Sequence, residues 1–167
     1  MRLSLVPYGV WRDYRQITPE LLEEHGIKLL LCDLDYTLAP RSVSRPDAAV
    51  RLWLDTLRRA GVTVMILSNN RRSERVELFC HDLGIAYEGH AGKPFGPGLR
   101  RAMQRVGVSA SETAMLGDKL LTDVLAAHFN GALALMVEPS GGAKTTWQKV
   151  LHAMQAPFKA LSGGLRP

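Results

Sequence analysis

Acidic and hydroxyl-bearing residues cluster at a few places in this 167-residue chain, and those places follow apolar runs. Asp33-Leu34-Asp35-Tyr36-Thr37 follows the run 27–32, which is apolar except for Lys28. Ser68-Asn69-Asn70 follows the run 62–67, and Gly117-Asp118-Lys119-Leu120-Leu121-Thr122-Asp123 follows 113–116. Gly92-Lys93-Pro94 lies in a loop between the last two. Carboxylates that converge repel one another and are costly to desolvate unless a cation neutralises them. The cation expected here is Mg²⁺, which takes oxygen ligands and is held by one or two carboxylates with water and substrate phosphate. No cluster of His and Cys competes for zinc. A lysine in the same pocket suits a phosphate. Together these residue types point to phosphoryl transfer through a carboxylate nucleophile.

For the clusters to meet, the elements must bring the ends of the apolar runs to one edge. The runs 27–32, 62–67, 113–116 and 132–137 read as strands, and 85–87 as a short one. Between them lie amphipathic stretches. Thr18-Pro19 opens a helix that Gly26 closes; 46–60 reads as a helix ended by Gly61, 73–83 as one ended by Gly84, 99–106 as one ended by Gly107, and 122–129 as one ended by Asn130-Gly131. Alternating strands and helices predict an α/β fold, a three-layer doubly wound parallel sheet, as a single domain over 1–167. Such sheets bind ligands at the carboxyl ends of their strands, where the polar clusters fall.

At this point the chain resembles the haloacid dehalogenase (HAD) superfamily of Mg²⁺-dependent phosphotransferases. That family's motifs are D-x-D-x-[TV], a hydroxyl residue after the second strand, a lysine, and G-D-x-x-x-[TS]-D. Here they stand, in order, as Asp33 to Thr37, Ser68, Lys93, and Gly117-Asp118 to Thr122-Asp123. The resemblance covers about 27–137. More narrowly, Leu67-Ser68-Asn69-Asn70 with Gly-Lys-Pro is similar to the YqeG-like subgroup, subfamily IIIA, and to related phosphatidylglycerophosphate phosphatases. Tyr36 and Lys119 depart from the Asn and Gln expected there.

The resemblance implies that Asp33 is the nucleophile and forms an aspartyl-phosphate. Asp35 protonates the leaving oxygen and then deprotonates the attacking water, and its backbone carbonyl is a metal ligand. Ser68 hydrogen-bonds a phosphoryl oxygen, and Lys93 balances charge on Asp33 and the phosphate. Asp118 ligates Mg²⁺, and Asp123 completes the metal site with Asp33 and Asp35. Thr37, Asn69 and Asn70 are expected to contact the substrate, as are Arg71 and Arg72 beyond the phosphate unless they form only a solvated basic loop. Cys32 reads as a small core residue. Residues 38–46 and 71–92 are too few to hold a cap domain, so the site is expected to be open.

The chain is 46% hydrophobic and has no apolar run near the ~20 residues of a membrane span. The apolar run 3–6 is too short for the core of a signal peptide, and two cysteines make no disulfide framework, so the expected compartment is cytoplasmic. The net charge is +5, and the segment 139–167 carries four basic and no acidic residues. Within it Trp147, Val150, Leu151, Met154 and Phe158 form one helical stripe, with Pro157 expected to end or kink the helix. That stripe either packs on the sheet or lies peripherally on an anionic membrane. Gly141-Gly142-Ala143-Lys144-Thr145 lacks the glycines of a phosphate-binding loop.

The expected function is Mg²⁺-dependent phosphomonoester hydrolysis, with phosphatidylglycerophosphate as candidate substrate and a phospholipid headgroup or phosphorylated small molecule as partner. Alternatives are a soluble sugar or nucleotide phosphate, a phosphoprotein, or a receiver-like signalling module that stores phosphate on an aspartate. No nucleic-acid partner is expected. Oligomeric state and the role of residues 1–16 stay open.

Overall fold

A computed structural model describes residues 4–70, 74–141, 146–163 and 166. Six parallel strands form one sheet in the order β1-β6-β5-β2-β3-β4. They are β1 (Gly9–Trp11), β2 (Leu29–Cys32), β3 (Thr63–Leu67), β4 (Ala86–Glu88), β5 (Thr113–Gly117) and β6 (Leu133–Val137). The helices are α1 (Pro19–Glu24), α2 (Ala48–Arg59), α3 (Glu74–Leu83), α4 (Gly98–Val106), α5 (Leu125–Asn130) and α6 (Thr146–Leu161).

The continuous apolar runs follow from burial on both faces. All four residues of β2 are buried, and alternate side chains enter different cores. Leu30 and Cys32 join Leu22, Trp53, Leu54 and Phe79, so α1, α2 and α3 cover that face. Leu29 and Leu31 join Leu99, Met103 and Ala126, so α4 and α5 cover the other. Helix α2 shows how sequence sets the bounds. Asp47 caps it by accepting from the Val50 amide at 2.9 Å, and Val50, Trp53, Leu54 and Leu57 make its buried stripe.

Two features depart from the sequence reading. Residues 9–11 add a sixth strand, β1, which pairs with β6 from Gly9 opposite Leu135 to Trp11 opposite Val137. Three residues are too few to show a strand period, so tertiary pairing decides their state. The neighbouring Tyr14 packs edge-on against Trp53 with ring centroids 5.1 Å apart. Second, α6 continues four residues past Pro157. Contacts beyond the proline hold its last turn: Phe158 packs on the α4–α5 core, and the Lys159 ammonium donates to Glu138 at 2.8 Å. The side chains of Trp147 and Leu151, the loop residues Arg71 and Arg72, and residues 142–145 lie outside the described residues.

The Trp53 indole N–H donates to the Ile17 carbonyl at 2.9 Å inside the core. Trp53→Phe removes the donor and leaves that carbonyl buried without its partner. The expected loss is about 1–3 kcal/mol, read as a lower denaturant midpoint with an unchanged slope.

Candidate active site

The carboxyl ends of β2, β3 and β5 lie side by side, since these strands are neighbours in the sheet. Asp33 follows β2, Ser68 follows β3 and Asp118 follows β5. The Lys93 ammonium sits between acids, 2.8 Å from Asp33 Oδ1 and 2.8 Å from Asp123 Oδ1. Its side chain is 3% exposed and that of Asp123 is 1% exposed. Burial opposes the lysine's charge, but Asp123 and Asp33 outweigh it and hold its pKa well above the usual range. Burial also pushes the Asp118 carboxyl up to about 6, against the pull of Lys119.

The surrounding backbone is fitted to this pair. Asn69 clasps the Lys93 backbone at both ends: its amide donates to the Lys93 carbonyl at 3.0 Å and its oxygen accepts from the Lys93 N–H at 2.7 Å. A Cβ on Gly117 would fall on the Asp123 carboxylate, so only glycine fits there. Asp123 sits in a wide π-helical turn, Leu120–Val124, ahead of α5, where the sequence pattern predicts the start of an α-helix. That turn lets Asp123 Oδ2 accept from the Lys119 N–H at 3.2 Å. Tyr36 has φ +66°, a left-handed conformation that a bulky side chain adopts at a cost. Hydrogen bonds from its N–H to the Ala39 carbonyl and from the Ser140 N–H to its own carbonyl hold it there.

Asp33, Asp118 and Asp123 each offer a carboxylate oxygen, all within 4.8 Å of one another. This all-oxygen set fits a hard divalent cation. Of the other expected residues, Asp35, Ser68, Asn69 and Asn70 line a 210 Å³ pocket with Asp33 and Lys93. Ser68 Oγ accepts from the Asn70 N–H at 3.2 Å. Thr37 is 1% exposed and is not part of that lining; its hydroxyl faces Asp118 Oδ1 at 3.5 Å. Asn69 borders the pocket, but its amide is engaged on Lys93.

Three further side chains belong to the site. Arg41 donates to Asp35 Oδ2 at 2.8 Å, and Arg75 donates to Asp35 Oδ1. Arg75 also binds the carbonyls of Pro40 and Val43, tying the loop after β2 to α3. Lys119 lies 2.7 Å from Asp118 Oδ1 and 3.8 Å from Asp33 Oδ2. Its adjacency to Asp118 was a signal available in the sequence. Nothing in the spacing of Arg41 or Arg75 marks them.

The haloacid dehalogenase-like hydrolase family matches residues 5–131. The probable phosphatase YqeG of Bacillus subtilis (strain 168) is 39% identical over 125 residues, covering 74% of this chain and 71% of that protein. The chain belongs to the haloacid dehalogenase-like hydrolase family. Among solved structures, a HAD subfamily III A hydrolase from Legionella pneumophila aligns with TM-score 0.53 at 19% identity, over 86% of this chain and 93% of that one. The 3-deoxy-D-manno-octulosonate 8-phosphate phosphatase of Yersinia pestis aligns with TM-score 0.55 at 14% identity, over 87% and 89%. Both share the HAD fold. Among the described residues no cap domain stands over the site: the stretch from β2 to α2 is a loop, and α3 and β4 occupy most of the stretch from β3 to Lys93.

Lys93→Met would strand Asp123 as a buried charge without its partner. Stability should fall by about 3–5 kcal/mol, and adding Asp123→Asn should recover part of it, both read from denaturant melts. A divalent cation held by Asp118 would compete with the proton that burial keeps there up to about pH 6. Metal affinity measured by calorimetry should therefore be steady above that pH and fall, by up to about tenfold per unit, below it. In the same titration at neutral pH, Lys119→Gln should bind the metal more tightly, because the ammonium that opposes it is gone.

Proposed function

We propose that this hydrolase is a Mg²⁺-dependent phosphomonoesterase working through an aspartyl-phosphate on Asp33. The observation that carries the reading is the Lys93 ammonium set 2.8 Å from both Asp33 and Asp123, beside Asp118, at the carboxyl edge of the sheet. An orienting cation on a carboxylate at the floor of a pocket suits attack on a phosphate whose own charge must be masked. Asp33, Asp118 and the backbone carbonyl of Asp35, with Asp123 behind them, would hold Mg²⁺, whose charge offsets that of the phosphoryl oxygens.

In the first step an Asp33 oxygen bonds to phosphorus, the ester P–O bond breaks, and the leaving oxygen takes a proton from Asp35. In the second, water attacks the phosphorus and gives its proton to Asp35, the P–O bond to Asp33 breaks, and inorganic phosphate leaves. Ser68 and the Asn70 side of the pocket hold phosphoryl oxygens. Thr37 and Asn69 act through Asp118 and Lys93. For Asp35 to carry a proton it must release one arginine. Arg41, 69% exposed against 18% for Arg75, is the one placed to turn toward the substrate.

An acid/base two residues after the nucleophile favours turnover over a receiver that stores its phosphate. The open site supports an accessible, bulky substrate, and the similarity to YqeG supports a phosphatase. Phosphatidylglycerophosphate is the leading candidate, ahead of soluble sugar or nucleotide phosphates. A panel of phosphate esters that includes it in mixed micelles decides among them. Preference for a soluble ester would remove the lipid assignment.

Asp33→Asn should lower phosphate release by about 10³-fold or more, since an amide cannot form the acyl phosphate. Retained turnover would sink the nucleophile assignment. Asp35→Asn should cost about 10²–10⁴-fold on an alkyl phosphate and less on an aryl phosphate, whose leaving group needs less protonation. Equal losses on both would count against leaving-group protonation by Asp35.

A further inference from the structure

An apolar cavity of about 420 Å³ adjoins the phosphate pocket, and Lys119 and Thr122 line both. Beyond those two residues its wall is Leu5, Leu120, Leu121, Met154, Gln155 and Phe158. Leu120 is buried, whereas Leu121 and Met154 are 54% and 60% exposed. Two large, largely exposed apolar side chains thus line one cavity that shares Lys119 and Thr122 with the charged pocket. The volume falls within the roughly 300–1,000 Å³ of small-molecule sites. Among the described residues Lys119 is the sole charged one of the lining, and its ammonium lies 2.7 Å from Asp118 Oδ1.

The groove wall formed by α6 is anchored. Phe158 packs on the α4–α5 core, Lys159 pairs with Glu138, and the Arg166 N–H donates to the Val10 carbonyl at 2.7 Å. Leu120, Leu121 and Thr122 of the lining belong to the π-helical turn that also carries Asp123.

We infer that the groove receives the apolar arm of the substrate's leaving group, so that the substrate is an amphiphilic phosphomonoester with its phosphate at Asp33 and an alkyl chain between Leu121 and Met154. The two lining residues that the cavities share, Lys119 and Thr122, carry the assignment, and it rests on the reading of Asp33 as a phosphatase nucleophile. A ligand with its phosphate in the first pocket that extended past Lys119 and Thr122 would meet, among the described residues, apolar side chains and the Gln155 amide. Lys119 marks the change of polarity, with its ammonium at the acids and its stem along the apolar wall.

The test uses the full chain with ethylphosphonate and octylphosphonate below its micelle concentration, whose C–P bonds make binding measurable by calorimetry without turnover. Each methylene added in an apolar groove should tighten binding by about two- to fourfold. Octylphosphonate should therefore bind more than about tenfold tighter than ethylphosphonate. In Met154→Glu and Leu121→Glu, both at exposed positions, that ratio should shrink to about threefold or less. Equal binding of the two probes, binding of neither, or a ratio unchanged in both variants would overturn the groove assignment. Phosphate release from a small aryl ester, measured alongside with Asp33→Asn as reference, reports on the phosphatase reading separately: a flat chain-length profile with intact release leaves that reading standing and removes only the groove.

Discussion

One buried ammonium holds the active edge together. Three carboxylates within 4.8 Å would repel one another in a site this dry, and Lys93 is set between two of them with almost no exposure to water. Other details follow from this requirement. Asn69 spends both ends of its amide fixing the Lys93 backbone. Gly117 is bare so that Asp123 can approach β5, and the chain after β5 takes a wide π-helical turn that aims Asp123 back at Lys119 N and Lys93. Lys119 adds a second ammonium on Asp118. The sheet supplies the frame, since β2, β3 and β5 are neighbours and deliver their terminal residues to one place.

Much of this was legible in the sequence because its signals are local and repeated. Fully buried parallel strands require continuous apolar runs, and each of the strands β2 to β6 was preceded or followed by a helix stripe and a closing glycine. The three-layer fold and the convergence of Asp33, Ser68, Lys93 and Asp118 follow from where those runs stop. What escaped was tertiary. Strand β1 is three residues long and exists because β6 offers an edge. Helix α6 outlasts Pro157 because Phe158 and Lys159 find partners beyond it. The Thr37 hydroxyl faces Asp118 outside the pocket lining, and Asn69, which does line the pocket as expected, also holds the Lys93 backbone, which residue type alone does not reveal. Arg41 and Arg75 reach Asp35 from a loop and a helix without any motif spacing.

The basic C-terminal segment divides between two environments. Phe158, Lys159 and Arg166 are tied to the domain, with the Arg166 guanidinium 4.5 Å from the Tyr8 ring. Val150 and Met154 face outward on the same helix. No helix among the described residues is long and apolar enough to cross a membrane. Phe158 both packs on the core and lines the apolar cavity, so a change there is expected to be felt in stability and in the cavity together.

The strand order bears on how the chain is made as well as on how it works. Strand β1 is synthesised first, yet it pairs with β6, the last strand, and is sealed by Arg166, 156 positions after Val10. During N-to-C synthesis the centre of the sheet has its partners once β5 emerges, whereas β1 must wait as an unpaired segment until β6 has left the ribosome. Such non-local closure is slow relative to local helix formation. The strands of the acidic edge can therefore come together before the outer strand β1 is secured on β6.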